Sequence, residues 1–397
     1  MNRAFLIQGT VLCIITEDAG KIQGTVPCII TGITPRAVHF IMKALIAMSG
    51  GVDSSVAAYL TKEQGAECIG CTMKLFESED AGVSMPKTCC SLDSVEDARS
   101  VAFRLGIPYY VFNYKDEFRK KVINSFADEY TRGLTPNPCI ECNTHLKFGK
   151  LVQRAKELGC SIVVTGHYSR ITFDGEKYHL LRGLDESKDQ SYVLYTLTQE
   201  QLSMLRLPLG ELTKDEVRRI AAAQGFVNAD RPDSQDICFV PDGDYAGAIE
   251  RITGIASEPG SFVDKNGNVL GQHKGIIHYT VGQRKGLGIA FGEPMFVVKT
   301  DPDNNTVTLG RSDELFHRQV VIRNVNWISG KKPVSPLHVT AKLRYRQKAA
   351  GAVLTSDGTD RAMLLFDEPQ RAPAPGQAAV FYDGDEVLGG GTIEHAF

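Results

Sequence analysis

The chain has 397 residues, of which 43% are hydrophobic and 23% charged, and its formal net charge is -3. This length suits about two or three domains of an ordinary globular protein, and no apolar run approaches the ~20 residues of a membrane span. The slightly negative charge excludes a protein that coats nucleic acid indiscriminately, but it allows local basic patches that bind one RNA.

The ten cysteines are too few and too irregularly placed for a secreted disulfide scaffold. Polar and acidic residues interrupt the apolar patch after Arg3, so a signal peptide is not expected. The sequence therefore predicts a cytoplasmic protein whose cysteines are thiols, without a membrane partner.

Residues 1–41 contain an internal repeat, in which Ile7–Ile15 returns nearly unchanged as Ile22–Ile30. A single duplicated unit cannot stack into a solenoid. Because Met42 stands immediately before the first apolar strand, we expect the working protein to start there. Residues 1–41 are then a poorly ordered extension or the product of a misplaced start codon.

The stretch from Ala44 to Gly65 predicts a phosphate-binding turn. Ala44–Met48 is apolar throughout, which favours a strand buried on both faces of a parallel sheet. Ser49–Gly51 removes side-chain bulk, and the helix that follows directs its positive N-terminal end at the same place. No lysine follows the glycines, so this is not the common Gly-x-x-x-x-Gly-Lys loop.

Strands and helices then alternate along the chain. Strands are predicted at Glu67–Lys74, Tyr109–Tyr114 and Ser161–Thr165, and helices near Asp93 and at Phe118–Arg132. This alternation predicts an α/β fold with a doubly wound parallel sheet, whose ligands bind at the carboxyl ends of the strands.

A turn at Thr135–Pro138 presents Cys139–Asn143 ahead of an amphipathic helix. The basic residues on one face of this helix either are solvated or contact RNA, and the sequence does not decide between the two. These residues are Lys147, Lys150, Arg154 and Lys156. Further along, Lys188–Tyr192 is expected to open a helix, and Thr213–Glu216 is a capping box that begins another.

Beyond about residue 258 the pattern changes to short strands and turns, which predicts a small closed β-barrel at the C-terminus. The hairpin signals are Asn266-Gly267, Asp303–Asn305, Asp357-Gly358 and Asp383-Gly384. Between Lys331 and Lys348 the chain has several basic residues and no acidic one, so this segment is a candidate RNA contact.

Short motifs in a fixed order identify a family. They are Ser49–Ser54, Cys89–Ser91 ahead of Asp97–Arg99, Pro136–Pro138 with Cys142-Asn143, Thr165–Tyr168, Lys188–Ser191, Ile237–Phe239, Tyr279–Gly286 and Pro375–Gln377. From Met42 to the C-terminus the chain resembles the tRNA-specific 2-thiouridylases, which belong to the ATP pyrophosphatases. The order and spacing of the motifs together make this resemblance specific.

The resemblance implies an enzyme that replaces O2 of the wobble uridine with sulfur in tRNAs for Lys, Glu and Gln. ATP, with Mg²⁺, would adenylate the oxygen, and a cysteine desulfurase or a sulfur-relay protein would supply sulfur. The implied domains are an extension over 1–41, a catalytic domain over 42–207, a central domain carrying Cys238 over 208–298, and a tRNA-binding β-barrel over 299–397.

The resemblance also implies site residues. ATP would bind to Ala47, Met48, Ser49, Gly50, Gly51, Val52, Asp53, Ser54, Met73 and Gly166. The target base would meet Asn137, Pro138 and Cys139. Contacts to tRNA would come from His167, Lys188, Asp189, Gln190, Arg344, Tyr345 and Gln377.

Two cysteines carry the implied chemistry. Cys238 would hold a persulfide, and Cys142 would be the nucleophile that ends in a transient Cys142–Cys238 disulfide. A route through released hydrosulfide fits the same residues.

One position departs from the family pattern, since many members have Asp where this chain has Cys139. The Cys139-x-x-Cys142 spacing, together with Cys238, leaves an iron–sulfur cluster as an alternative. A metal-thiolate RNA-binding module without turnover is the other alternative.

Overall fold

The computed structural model describes residues 42–76, 92–233, 237–240, 242–290 and 292–397, and the backbone of two short strands near the N-terminus. These two strands, Leu6–Ile7 and Thr10–Val11, pair antiparallel with each other. The rest of the predicted extension, and the Cys89–Ser91 motif, lie outside the described residues.

The first domain is built on a five-stranded parallel sheet in the order β3-β2-β1-β4-β7. Its strands are β1 (Lys43–Ala47), β2 (Glu67–Lys74), β3 (Tyr109–Asn113), β4 (Ile162–Val164) and β7 (Leu205–Arg206). A hairpin of β5 (Ser169–Phe173) and β6 (Tyr178–Arg182) leaves this sheet between β4 and β7.

Besides three short 3₁₀ helices, seven helices are described. They are α1 (Val52–Glu63), α2 (Leu92–Arg104), α3 (Lys115–Phe118, Arg119–Ile123 and Asn124–Thr131 in succession), α4 (Pro138–Glu141, Cys142–Lys150 and Leu151–Glu157 in succession), α5 (Gln199–Met204), α6 (Lys214–Ala223) and α7 (Tyr245–Thr253). The middle segments of α3 and α4 have the wider π-helical bonding. Within the described residues, no helix is both long enough and apolar enough to cross a membrane.

Helices cover both faces of the parallel sheet. Successive side chains of β1 point to opposite faces and therefore pack in two different cores. Ala44 and Ile46 pack in one core with residues of α1, α2 and α6. Leu45 packs in a second core with residues of α4. All three side chains are fully buried. The predicted doubly wound sheet is confirmed.

Two β-structures follow the parallel sheet, and the second is the predicted C-terminal β-barrel. The first has four strands in the order β9-β8-β11-β10, with bounds β8 (Gly260–Val263), β9 (Val269–His273), β10 (Phe296–Asp301) and β11 (Thr306–Gly310). The second is a six-stranded barrel in the order β12-β15-β14-β13-β16-β17. Its bounds are β12 (Phe316–Trp327), β13 (Leu337–Lys342), β14 (Ala350–Ser356), β15 (Ala362–Arg371), β16 (Ala378–Asp383) and β17 (Glu386–Ala396).

The barrel closes through antiparallel pairing of β12 with β17. The hairpin of β5 and β6 adds to its outside, because Leu181 pairs with Glu386. The first domain and the barrel are therefore joined through one continuous sheet.

Candidate active site

The turn between β1 and α1 is a preformed anion cradle. The Ser49 N–H donates to Ser54 Oγ at 3.1 Å, and the hydroxyls of Ser54 and Ser55 donate to Gly51 O at 3.0 and 3.1 Å. No side chain caps the N-terminus of α1. Its first N–H groups and the helix dipole therefore favour a bound anion such as phosphate.

Glycine is required at two positions of this cradle. Gly50 has φ of +77°, and a Cβ there would lie 2.2 Å from the Ser94 carbonyl oxygen. A Cβ on Gly166 would lie 2.8 Å from the Asp53 carbonyl carbon. Both backbones come closer to a neighbour than any other residue permits.

Asp53 lies in a network of charges beside the cradle. Lys214 Nζ donates to its two carboxylate oxygens at 2.7 and 2.9 Å, and the Tyr168 hydroxyl donates to Oδ1 at 2.7 Å. Lys214 also pairs with Asp233 at 2.7 Å, and Lys188 pairs with the same carboxylate at 2.9 Å. One buried ammonium thus bridges two carboxylates.

The pKa values in this network follow from burial and charge. Burial, and then the Asp53 charge, raise the pKa of Tyr168, so its hydroxyl stays a donor. Burial opposes ionisation of Asp233, but hydrogen bonds from Lys214 and Lys188 outweigh it and lower the pKa of this carboxyl. Asp233 is therefore ionised at neutral pH.

The other side of the turn is held by residues after α6. Asn228 Nδ2 donates to Gly50 O at 2.8 Å, and an Arg231 nitrogen donates to the same oxygen at 3.2 Å. Arg231 also donates to Asp97 and to Ser94 Oγ, both at 2.7 Å. These bonds fix the turn to α2.

His167 is buried at the end of β4. Its Nδ1 lies 2.7 Å from Thr165 Oγ1, and its Nε2 lies 3.5 Å from Lys147 Nζ. Burial, and then the Lys147 charge, hold the pKa of His167 well below its usual value. The imidazole is therefore neutral and serves as a hydrogen-bonding group.

A cavity of about 980 Å³ lies where the three domains meet. The catalytic domain lines it with Thr135–Pro138, and the central segments contribute Ile237, Asp244 and His278. The barrel and its flanking loops line it with Arg344, Arg346, Arg371 and Gln377. The cavity is open, and the arginines make one of its walls positively charged.

Two of the three cysteines singled out from the sequence follow a residue that lines this cavity, since Cys139 comes after Pro138 and Cys238 after Ile237. Cys139 is exposed at the start of α4, and its N–H donates to Asn137 Oδ1 at 3.1 Å. Cys142 is buried one turn later. Cys142 and the partly buried Cys238 belong to one hydrophobic cluster, although 96 residues separate them in the chain.

Metal-binding geometry is not found in the part of the chain that the structure describes. No three side chains of His, Cys, Asp or Glu come together there as a metal ion requires. Asp53 lies beside the phosphate cradle, and both of its carboxylate oxygens accept from Lys214 Nζ. This donor set fits Mg²⁺ held mainly by phosphate and water.

The residues predicted to contact tRNA make internal bonds in the structure. Asp189 is buried, and its Oδ1 accepts the N–H groups of Gly183 and Ser191. Gln190 Oε1 accepts the Tyr168 N–H at 3.0 Å. Lys188 pairs with Asp233, so this segment is fixed to the cradle network.

The predicted barrel contacts also have protein partners. Arg344 donates to the carbonyls of Val281 and Ala372 at 2.9 and 3.1 Å. Tyr345 is 37% exposed, and its ring stands edge-on to Tyr192. Contact of any of these residues with tRNA stays a prediction.

The basic face of α4 is largely neutralised by ion pairs. Lys150 pairs with Glu117, Arg154 with Glu157, and Lys156 with Glu200. The pairing favours a solvated surface over an RNA contact for these residues.

Sequence reasoning missed four residues of the cradle. In the sequence, Lys214 is part of a capping box, and no pattern assigns Tyr168, Asn228 or Arg231 to the cradle. A lysine at the first position of a capped helix is ordinarily exposed. Lys214 is only 8% exposed, and this burial, which the sequence does not reveal, marks its role in the cradle.

Comparison with known proteins covers nearly the whole described chain. Residues 42–242 match the tRNA methyl transferase HUP domain, residues 252–311 the tRNA methyl transferase PRC-barrel domain, and residues 317–393 the aminomethyltransferase beta-barrel domain. The first match alone spans half of the chain.

Individual relatives are similar along almost their full length. The tRNA-specific 2-thiouridylase MnmA of Clostridioides difficile (strain 630) is 51% identical over 354 residues, which cover 89% of this chain and 98% of that protein. The proteins of the same name from Acetivibrio thermocellus and Carboxydothermus hydrogenoformans are 51% and 49% identical, over 89% of this chain and 99% and 97% of their own lengths.

Proposed function

The chain belongs to the tRNA-specific 2-thiouridylase family, and we propose that it transfers sulfur to C2 of the wobble uridine in tRNAs for Lys, Glu and Gln, at the expense of ATP. The observation that carries this proposal is the arrangement of Cys142 and Cys238 in one cluster beside a basic cavity. An amide-forming member of the ATP pyrophosphatases has no need of two such thiols.

ATP binds with its phosphates in the Ser49–Ser54 cradle. The N-terminus of α1 stabilises the pyrophosphate that leaves. Lys214, which bonds to Asp53 beside the cradle, adds a positive charge that also favours the anion. Asp53 would hold Mg²⁺ together with the phosphates. Ala47, Met73 and Gly166, at or just after strand ends, are proposed to line the nucleoside side.

Activation converts a poor leaving group into a good one. O2 of the uridine attacks the α-phosphorus of ATP, the bond to pyrophosphate breaks, and the base becomes an adenylate whose leaving group is AMP. Asn137, Pro138 and Cys139 are proposed to hold the base, since their loop lines the cavity. The exposed Cys139 supplies no carboxylate, so activation here depends on the cradle and on no acid at this position.

Sulfur arrives on Cys238 as a persulfide from a cysteine desulfurase or a relay protein. Its terminal sulfur attacks C2 and displaces AMP. The Cys142 thiolate then attacks the Cys238 sulfur, which breaks the S–S bond, releases the thiocarbonyl on the base and forms a Cys142–Cys238 disulfide. A two-electron thiol reductant restores both thiols before the next cycle.

The tRNA is proposed to reach the cavity along its arginine wall. Arg344, Arg346 and Arg371 offer guanidinium groups to backbone phosphates on the barrel side. His167, Lys188, Asp189, Gln190, Tyr345 and Gln377 are the further proposed contacts. The protein is expected to act in the cytoplasm, where charged tRNA pools and thiol reductants are present.

The test is pyrophosphate release from MgATP with and without tRNA. We expect release to require a tRNA with a uridine at the wobble position, and a tRNA with cytidine there to give only background. Release that is independent of tRNA would contradict the proposal. Stoichiometric zinc or iron with no release would instead favour a metal-thiolate RNA-binding module.

A further inference from the structure

The loop that precedes Cys139 is tied to the other two domains through its backbone. Thr135 N–H donates to Pro375 O at 2.8 Å, and Thr135 O accepts from Gln377 Nε2 at 2.9 Å. Gly133 O accepts from Thr300 Oγ1 at 2.8 Å. Three bonds therefore hold a short segment between α3 and α4, and none of their outer partners belongs to the catalytic domain.

The barrel side of this contact is itself rigid. Gly376 N–H donates to Ile393 O at 2.9 Å, and Ile393 N–H donates to Gln377 O at 2.7 Å. Gly376 has φ of +91°, and a Cβ there would lie 2.8 Å from Thr135 N. Only glycine allows this approach, so Pro375–Gln377 is anchored to β17 and shaped to receive the loop.

The loop side offers only backbone atoms, whereas Gln377 and Thr300 contribute side chains. The side chains that hold the loop therefore belong to the barrel, through Gln377, and to strand β10, through Thr300. Asn137, two positions after Thr135, caps α4 with its side chain. Cys142 lies one turn into that helix. A shift at Thr135 is transmitted to the start of α4 because the connecting prolines leave little backbone freedom.

We propose that Gln377 is a positioning residue, which acts on the reaction by holding the Gly133–Cys139 loop, in addition to its proposed contact with tRNA. The barrel is then a structural part of the active site in addition to any tRNA contact. The role of Gln377 in turnover rests on the proposed function, whereas the role of Gln377 in holding the loop does not.

Hydrogen exchange of the protein without tRNA tests the contact directly. In Gln377→Ala, amides of residues 133–142 are expected to exchange about fivefold to tenfold faster, the factor that the loss of one ordinary hydrogen bond gives. The matched control is Gln347→Ala, since Gln347 also lines the cavity but bonds to Gln370 at 3.0 Å. The control should leave exchange in 133–142 unchanged.

Steady-state kinetics of the same variants separates positioning from RNA binding. Gln377→Ala is expected to lower kcat about tenfold because the loop is displaced, whereas the loss of a tRNA contact alone would raise KM for tRNA and leave kcat unchanged. Thr300→Val, which removes the bond to Gly133 while keeping side-chain size, should shift exchange and kcat in the same direction. It also serves if Gln377→Ala does not fold.

Two results would overturn the proposal. One is unchanged exchange in Gln377→Ala, and the other is a rise in KM for tRNA at constant kcat, which would make Gln377 an RNA contact only. If wild type itself shows no turnover, the proposed function fails, and the exchange data still decide whether Gln377 holds the loop.

Discussion

Lys214 is the residue whose charge the cradle depends on most, because it neutralises Asp53 and Asp233 together. Lys214→Met keeps the length of the side chain but leaves two carboxylates facing each other. We expect about 2–3 kcal/mol lower stability in urea unfolding and at least a hundredfold loss of pyrophosphate release. The control Arg218→Met removes a 3.3 Å partner of Asp233 but leaves Asp53 paired, and should keep activity within severalfold. Equal loss in both variants would contradict this role for Lys214.

His179 joins the hairpin of β5 and β6 to the barrel. Its ring nitrogens lie 2.9 Å from Asp174 and 2.7 Å from Glu386. A neutral imidazole has one N–H, so bonding to both carboxylates requires the imidazolium. The Asp174 bond raises the pKa of His179, burial offsets part of this, Glu386 raises it further, and Lys177 lowers it slightly.

The raised pKa fixes the sign of a pH effect. The stabilisation by His179 is fully present below its unfolded pKa of about 6.5 and is lost as pH rises through the higher folded value. Wild type should therefore melt about 1–3 °C above His179→Gln near pH 6, and the gap should close by about pH 9. Melting curves across this range test it, and a gap that widens with pH would contradict it.

The two ends of α1 need glycine for different reasons. Gly50→Ala introduces a Cβ 2.2 Å from Ser94 O as well as strain at φ of +77°. Gly65 ends α1 at φ of +84° with nothing within 4 Å of an added Cβ. We expect Gly65→Ala to cost about 1–2 kcal/mol and keep ATP binding, and Gly50→Ala to lose binding at least tenfold. Calorimetric titration with ATP measures both, and equal affinities would contradict the cradle.

Most elements were predictable because their signals are local. The strand Glu67–Lys74 and the helix Lys214–Ala223 follow from apolar runs and a capping box, and the turn signals mark hairpins of the β-structures. The expected helix at Lys188–Tyr192 is only a short 3₁₀ turn over Ser191–Leu194. Asp189 is buried, and its carboxylate accepts the N–H groups of both Gly183 and Ser191. No sequence pattern shows that burial.

The cradle network was not predictable in the same way, since it depends on tertiary burial. Lys214 and Arg231 reach a turn more than 150 residues away in the chain. The boundary predicted at 207/208 stays a prediction. The α6 helix beyond it shares a core with α1, since Val217 and Ala221 pack with Val56 and Ala57.

The basic wall of the cavity, to which more than one domain contributes, predicts that the affinity for tRNA depends on salt. Arg371→Ala should lower the slope of log affinity for tRNA against log salt by about one, because one phosphate contact is lost. Arg361→Ala is the matched control, since Arg361 lies in the same barrel strand region but pairs with Glu394 at 2.9 Å and does not line the cavity. Filter binding over a range of salt measures both, and equal slopes would remove Arg371 from the RNA surface.

Cys142 and Cys238 belong to one hydrophobic cluster, and we propose that they form the pair of thiols that transfers sulfur. The most direct test is the 2-thiouridine content of a tRNA for Glu after incubation with MgATP, a cysteine desulfurase and cysteine. We predict that wild type and Cys139→Ala produce 2-thiouridine, while Cys142→Ala and Cys238→Ala produce none. Full activity in either of the last two variants would contradict the persulfide relay, and loss of activity together with bound iron in Cys139→Ala would favour a cluster instead.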